Sequence, residues 1–430
     1  MPVRKLAGLG CVAALIIVVS SCAKPEQPLP QPSMEKDYER PLPPGRCALQ
    51  RIEPSEYPNF GEGWTRAKGT ELRQAVQNSI HYLHKPSSKK YYPIGPVTHE
   101  AALASLELFL KMLDHADSPE TLNSLIRENF DVYRSVGCDD AGTVLFTGYY
   151  SPIFDGSRER TEKFQHPLYK LPPGFQKNEE GEPVGGPWRT REEIDKSGLL
   201  AGNEIVWLGD RFETYVLTVQ GSGFVKLPDG TMYEIGYAGN NGHPYTPIRK
   251  MMVADGVIDR YKVSLDTMIK YFKDHPEALE QYIYQNKRYV FFQESKGGPY
   301  GCLNEPVTRY HSIATDKEIF PRGALAFVDT YIPNVPGESW RPYRNFMLDQ
   351  DRGAAIRAPG RSDIYMGVGE EAGKMAGHTF MEGKLYYVVA KPGASIGAPG
   401  AAAPAPAAAG AGTGGEQSEP PRNEAGGAQQ

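Results

Sequence analysis

Excess positive charge is missing from this chain. Its 47 Lys and Arg are outnumbered by 52 Asp and Glu, giving a formal net charge of −5. The sequence therefore offers no basic field to a phosphate backbone, and nucleic acid is excluded as its main partner. Cysteine is scarce as well, five in 430 residues, and none stands in a CxxC or Cys/His spacing that would hold zinc. Cys11 lies in an N-terminal apolar run and Cys22 just after it, which leaves Cys47, Cys138 and Cys302 as an odd set. In an oxidising compartment these permit one disulfide and one free thiol. Residues 393–430 lack every aromatic and every leucine, so nothing there offsets the entropy of ordering and the segment is predicted to be disordered. No internal repeat is visible.

What the N-terminus does carry is a processing signal. Arg4 and Lys5 precede an apolar run from Leu6 to Val19 that is too short to span a bilayer comfortably, and Val19-Ser20-Ser21-Cys22 places small residues before a cysteine. The pattern resembles a bacterial lipoprotein signal. Cleavage after residue 21 would leave Cys22 lipidated, anchoring an otherwise soluble protein to a membrane. Ala23 and Lys24, without Asp, point to the outer membrane, facing the periplasm. From there to Arg46 the chain holds Pro25, Pro28, Pro30, Pro32, Pro41, Pro43 and Pro44, so residues 22–46 read as an extended, unpacked tether.

Between tether and tail, 40% hydrophobic and 23% charged residues are ordinary for a folded protein. Thr70 heads a stripe of Leu72, Val76, Ile80 and Leu83; Thr98 heads Leu103, Leu106, Leu110 and Leu113; Ser118-Pro119-Glu120 opens a third helix. After Thr143 the alternation turns to strands: TVLFTGYY, ETYVLTVQGSGFVKL and GTMYEIGYAG, the last two joined by Asp229-Gly230 as a hairpin signal. A later helix, capped by Ser264, runs to about Asp274. Strands follow at 288–293, 323–331, 344–351, 363–366 and 384–391. The class is mainly β with peripheral helices, α+β.

The stretch FMLDQDRGAAIRAPGRSDIYMG, Phe346 to Gly367, carries the chemistry. Asp351 heads a Gly/Ala turn, and Asp363 lies in an alternating strand sharing a face with Tyr365, so two carboxylates are offered to one small site. Together with Phe146-Thr147-Gly148-Tyr149-Tyr150-Ser151-Pro152, Gln220-Gly221-Ser222-Gly223 and the run Gly236 to Tyr245, this order and spacing resembles the membrane-bound lytic murein transglycosylase A family with its C-terminal three-aspartate domain. The resemblance runs from about Cys47 to Pro392.

It implies a double-psi β-barrel from residues 47–150 and 246–392, with the three-aspartate part at about 305–392. An inserted second small β-barrel domain at 151–245 would leave a groove between the two. It also implies cleavage of the β-1,4 bond between N-acetylmuramic acid and N-acetylglucosamine in peptidoglycan glycan strands, giving a 1,6-anhydromuramyl product. One Asp serves as acid and then base, because the C6 hydroxyl of the substrate replaces water. No metal or organic cofactor is expected. Asp363 matches the catalytic Asp, with Asp351 and Asp316 as supporting carboxylates. Thr147, Tyr149, Tyr150, Gln220, Gly221, Ser222, Tyr237, Asn241 and Tyr245 are the implied substrate contacts. Family members usually read Asp-Thr-Gly-Gly-Ala-Ile where this chain has Asp351-Arg352-Gly353-Ala354-Ala355-Ile356. A non-catalytic glycan-binding module and a hydrolase that uses water are the alternatives.

Overall fold

The structure, a computed structural model, describes residues 29–33, 35–259 and 265–396. The signal segment, Cys22, Ser264 and all but the start of the tail lie outside them. Early helices form where caps and apolar spacing coincide. After β1 (Leu49–Arg51) come α1 (Trp64–Ala67), α2 (Thr70–His84), α3 (His99–His115) and α4 (Pro119–Asn129). α2 buries Leu72, Val76 and Leu83. The Thr98 hydroxyl accepts from the Ala101 N–H and the Ser118 hydroxyl from the Thr121 N–H, both at 3.1 Å, opening α3 and α4. β2 (Phe130–Ser135) and β3 (Val144–Ser151) follow.

The middle of the chain builds a sheet of its own. Its elements are β4 (Ile153–Ser157), β5 (His166–Tyr169), α5 (Arg191–Ser197), β6 (Glu204–Leu208), α6 (Arg211–Gln220), β7 (Gly223–Lys226), β8 (Met232–Asn240), α7 (Ile248–Ala254), α8 (Leu265–Asp274), α9 (Leu279–Ile283) and β9 (Val290–Glu294). The strand order is β5-β6-β4-β7-β8-β9, over a core of Leu168, Val206, Leu217, Val225, Ile235 and Phe292.

Three expectations change here. The segment 211–220, read as a strand from its Tyr, Val and Thr content, is α6: Asp210 Oδ1 accepts from the N–H of Phe212 and of Glu213 at 2.7 and 2.9 Å, and Gly221 at φ +81° closes the other end. Both caps override β propensity. β9 pairs with β8, Tyr237 against Phe292 and Asn240 against Val290, so the second sheet continues well past the division read at Tyr245. Among the described residues no ladder joins β5 to β9, so this sheet is open where a closed small barrel was expected.

The chain then returns as β10 (Ser312–Ala314), β11 (Leu325–Val335), β12 (Ser339–Asp351), β13 (Arg361–Val368), α10 (Gly369–Gly377) and β14 (Phe380–Ala390). The order is β1-β2-β14-β11-β12-β10-β13-β3, and β14 also pairs with β3, closing six strands into a barrel. β13 runs parallel to β3 and β10 parallel to β12. These strands bury Ile313, Phe327, Phe346, Leu348 and Ile364 completely. α10 lies so close to β3 that a Cβ at Gly148 would sit 2.7 Å from the Ala376 Cα, which demands glycine there.

The described part of the tether is not unpacked. Pro30 O accepts from the Glu382 N–H at 3.0 Å, Lys36 pairs with Glu382 at 2.9 Å, Arg40 and Arg46 pair with Asp140 at 3.0 and 3.2 Å, and Glu39 reaches Lys250 at 2.9 Å. Proline denies this segment a regular structure of its own, yet the charged side chains set between the prolines fasten it to the body.

Candidate active site

Parallel pairing of β13 with β3 sets Asp363 opposite Thr147 and Tyr365 opposite Tyr149. On the other side of β13, Ala314 of β10 pairs with Asp363, and on its far edge the same Ala314 pairs with Asp351 of β12. The second pairing depends on a register shift: Ile313 faces Asp349 and Ala314 faces Asp351, skipping Gln350. Such an irregularity re-aims side chains. It brings Asp351 into the row with Asp363 and Thr147 and separates it from Asp349.

Asp363 is mostly enclosed, its side chain 18% exposed. The Thr147 hydroxyl donates to its Oδ1, and the Arg361 Nη2 stands 4.0 Å from the same oxygen. Burial pushes the Asp363 carboxyl up to about 6; Arg361 and Arg249 oppose that rise and Asp351 adds to it. Desolvation, not the second carboxylate, therefore leads in keeping a proton on this Asp.

Asp351 is bound by backbone. Its Oδ1 accepts from the N–H of Cys302 at 3.0 Å and of Arg352 at 2.8 Å. Burial still holds its carboxyl above the ordinary range. The Tyr149 hydroxyl is buried beside Asp351 without closing a hydrogen bond of good geometry. The Arg352 guanidinium donates to Glu180 O at 3.2 Å, while its backbone N–H is what bonds Asp351. Ala354 keeps a negative φ, and the left-handed residue of this loop is Ala358, at φ +67°. Asp316 secures that turn: its Oδ2 accepts from the Ala358 N–H at 3.0 Å and its Oδ1 from the Glu318 N–H at 3.2 Å. Asp316 thus holds a loop and lies outside the row that contains Asp363.

The remaining sequence candidates divide. Tyr245 has Arg249, Arg191 and Asp363 among the charged groups that act on it. Tyr237 donates to Glu180 O at 3.0 Å and accepts from the Asn240 amide at 2.6 Å. Gln220 ends α6, Gly221 caps it and Ser222 leads into β7. Tyr150, one step out of phase with Thr147 and Tyr149, lies against Gly373 of α10. Asn241 is fully buried, its amide donating to the carbonyls of Arg189 and Lys287 at 2.8 Å and its Oδ1 accepting from the Tyr289 N–H at 2.8 Å. It staples three loops. Among the described residues no group of three or more His, Cys, Asp or Glu is placed to hold a metal ion, and Cys47, Cys138 and Cys302 are all free.

Residues 145–293 match the MltA specific insert domain and residues 311–389 the 3D domain. The chain is 30% identical over 268 residues to membrane-bound lytic murein transglycosylase A of Escherichia coli K12, covering 61% of this chain and 70% of that protein. It belongs to the membrane-bound lytic murein transglycosylase A family. A homolog from Buchnera aphidicola is 29% identical over 322 residues, 74% of this chain and 84% of the relative. The crystal structure of a membrane-bound lytic murein transglycosylase from Agrobacterium tumefaciens superposes with a TM-score of 0.67 at 25% identity, over 80% of this chain and 98% of that one. The E. coli MltA with bound chitohexaose shares the fold, TM-score 0.62 at 22% identity, over 84% and 99%.

Within this family frame, several residues at the site were not singled out from the sequence. Arg361 donates to the Thr147 hydroxyl at 3.2 Å and so orients the group that bonds Asp363; the two-residue spacing from Arg361 to Asp363 on one strand face was the available hint. Arg249 comes from α7, over a hundred residues away in sequence. Asp349 is sealed in the barrel, ion-paired with Lys317 and receiving the hydroxyls of Thr315 at 2.8 Å and Tyr387 at 2.7 Å. A polar cavity of ≈ 580 Å³, lined by Tyr91, Glu180, Lys317, Arg322, Arg352 and Arg357, adjoins the Asp351 end of the site. Asp363 is not among its lining residues.

Proposed function

We propose that this protein is a peptidoglycan lytic transglycosylase that cleaves the β-1,4 bond after N-acetylmuramic acid with one carboxyl, Asp363, as acid and then base. The carrying observation is the environment of that carboxyl. Enclosed on β13 and raised to about 6, it is half protonated near pH 6 and roughly a tenth protonated at pH 7, which suits general acid work. Asp363 gives its proton to the glycosidic oxygen as the C1–O4 bond breaks. The substrate O6 then bonds to C1 and returns its proton to Asp363, so atoms balance without water. The Thr147 hydroxyl, as donor to Oδ1, stabilises the carboxylate between these steps and leaves Oδ2 to carry the proton. Asp351 adds negative charge for the oxocarbenium character at C1.

The likeness to the family supports a double-psi connectivity for the six-stranded barrel and a glycan groove along the row from Thr147 to Asp351. The lipoprotein signal supports acylation of Cys22 and a place at the outer membrane, facing the periplasm. Fractionation tests the second point: Cys22→Ala is expected in the soluble fraction. Mass spectrometry of digested murein tests the activity. Muropeptides one water lighter than hydrolysed products are expected from the wild type; reducing ends from added water would make it a hydrolase, and uncut strands would make it a glycan-binding module.

A further inference from the structure

Two arginines flank Asp363, and a lysine joins them through Glu39, from two stretches remote in sequence. Arg361 precedes Asp363 by two residues on β13; Arg249 and Lys250 stand on α7. Arg249 has Arg361, Tyr245, Asp363 and Glu39 as its charged or polar neighbours. The anions facing this group are Asp363, whose carboxyl the proposed chemistry needs for its proton, and Glu39. Glu39 arrives on the N-terminal segment and bridges the cluster, Oε1 lying 2.9 Å from Lys250 Nζ and 3.5 Å from Arg361 Nη1, with Oε2 3.0 Å from Lys250 Nζ. The Arg361 Nε, buried on a side chain only 12% exposed, donates to nothing among the described residues.

We infer that Arg249, Lys250 and Arg361 form an anion subsite beside Asp363 that takes a carboxylate borne by the muramic acid residue, and that Glu39 fills it while no substrate is bound. This rests on the transglycosylase reading. Arg361 and Arg249 disfavour each other's charge, and an anion among such groups offsets that cost. The anion now present is exchangeable: the Glu39 side chain is 43% exposed and that of Lys250 57%, and exposed pairs of this kind are weak. The hexosamine rings of the glycan are uncharged. Its carboxylates hang from the lactyl ether at O3 of muramic acid, either directly, where no peptide is attached, or on the peptide stem amide-linked there. Both lie on the sugar whose C1 reacts. A carboxylate in place of Glu39 would retain the ion pairs that Arg361 and Lys250 already make, so the substrate needs no new charge arrangement in the protein.

Binding is measured in the Asp363→Asn protein, which does not turn over, with three tetrasaccharides: chitotetraose, murein stripped of stems with its lactyl carboxylates free, and stem-bearing murein. One or both anionic glycans are expected to bind about tenfold tighter than chitotetraose at 50 mM salt, a preference screened away at 500 mM. Whichever gains more identifies the carboxylate that the subsite takes. Lys250→Ala and Arg249→Gln, both surface changes on α7, are expected to cut the preference several-fold, and Glu39→Gln to increase it. Equal affinity for all three glycans, or variants that weaken all three alike, overturns the subsite. The transglycosylase reading fails separately, through absence of anhydro product from the wild type while the binding preference stands.

Discussion

Asp351 and Asp363 lie on either side of one residue, Ala314, in the same row across β12, β10 and β13. Two strand spacings put their Cα atoms roughly 10 Å apart. They act on each other through space and share no proton, and burial stands ahead of Asp351 among the causes that raise Asp363.

This ordering sets the size of the effect of Asp351→Asn. Removing a negative neighbour lowers the Asp363 pKa, so the basic limb of the pH–rate profile moves to lower pH. The shift is expected to be about half a unit or less, because desolvation remains. Initial release of anhydromuropeptides from pH 4 to 8 measures it. A limb that moves up, or by two units, would contradict the arrangement.

Asp363→Asn abolishes the transferable proton and should lower the rate by at least ~10²-fold. It should also stabilise the fold at pH 7. The native carboxyl has a pKa raised to about 6 from 3.8, so between those values the folded state binds the proton more tightly. Wild-type stability is therefore lost as pH rises through that window. The Asn variant escapes this loss, by on the order of 1–3 kcal/mol at pH 7, and the advantage should vanish below about pH 4. Thermal melts of both proteins at pH 4 and 7 decide it.

The loop after Asp351 gives a third test. Ala358 holds a left-handed φ that costs an L side chain about 1 kcal/mol, so Ala358→Gly should stabilise by up to that amount. Asp316→Ala leaves the Ala358 N–H without its acceptor and should destabilise by about 1–3 kcal/mol. Urea denaturation measures both. A pH optimum moved by Asp316→Ala would show Asp316 acting on Asp363 after all.

Lys317→Met is the fourth. It strands the Asp349 carboxylate, fully buried in the barrel, at an expected cost of about 3–5 kcal/mol. Adding Asp349→Leu should recover much of that loss, since an apolar pair leaves no charge stranded. A double variant no more stable than the single would mean that the pair shapes the barrel by more than its charge.

Much of this architecture was legible because local signals agreed: Thr98 and Ser118 do cap helices, and β3, β8, β12, β13 and β14 form strands where strands were expected. α6 was misread because Tyr, Val and Thr favour strands, while its two flanking caps, Asp210 and Gly221, weigh more. β10 spans three residues and carries no periodicity, yet it joins both aspartate strands. At the site, Asp363, Asp351 and Thr147 stood out in the sequence. Arg249, Arg361 and Glu39 could not, since their meeting depends on tertiary folding of three separate stretches. Asn241 looked like a ligand for sugars because amides bind sugars; its amide is spent on backbone instead.

The fastening of residues 29–46 to the body shortens the leash. With Cys22 as the proposed lipid anchor and Pro30 already bonded to Glu382, about eight residues can separate membrane from barrel, a span of at most ~28 Å when fully extended. The whole of residues 22–46, if free, would reach roughly 85 Å. The enzyme would then graze the layer of murein nearest its own membrane, and glycan farther out would come within range only when Glu39 and its neighbours let go of the surface.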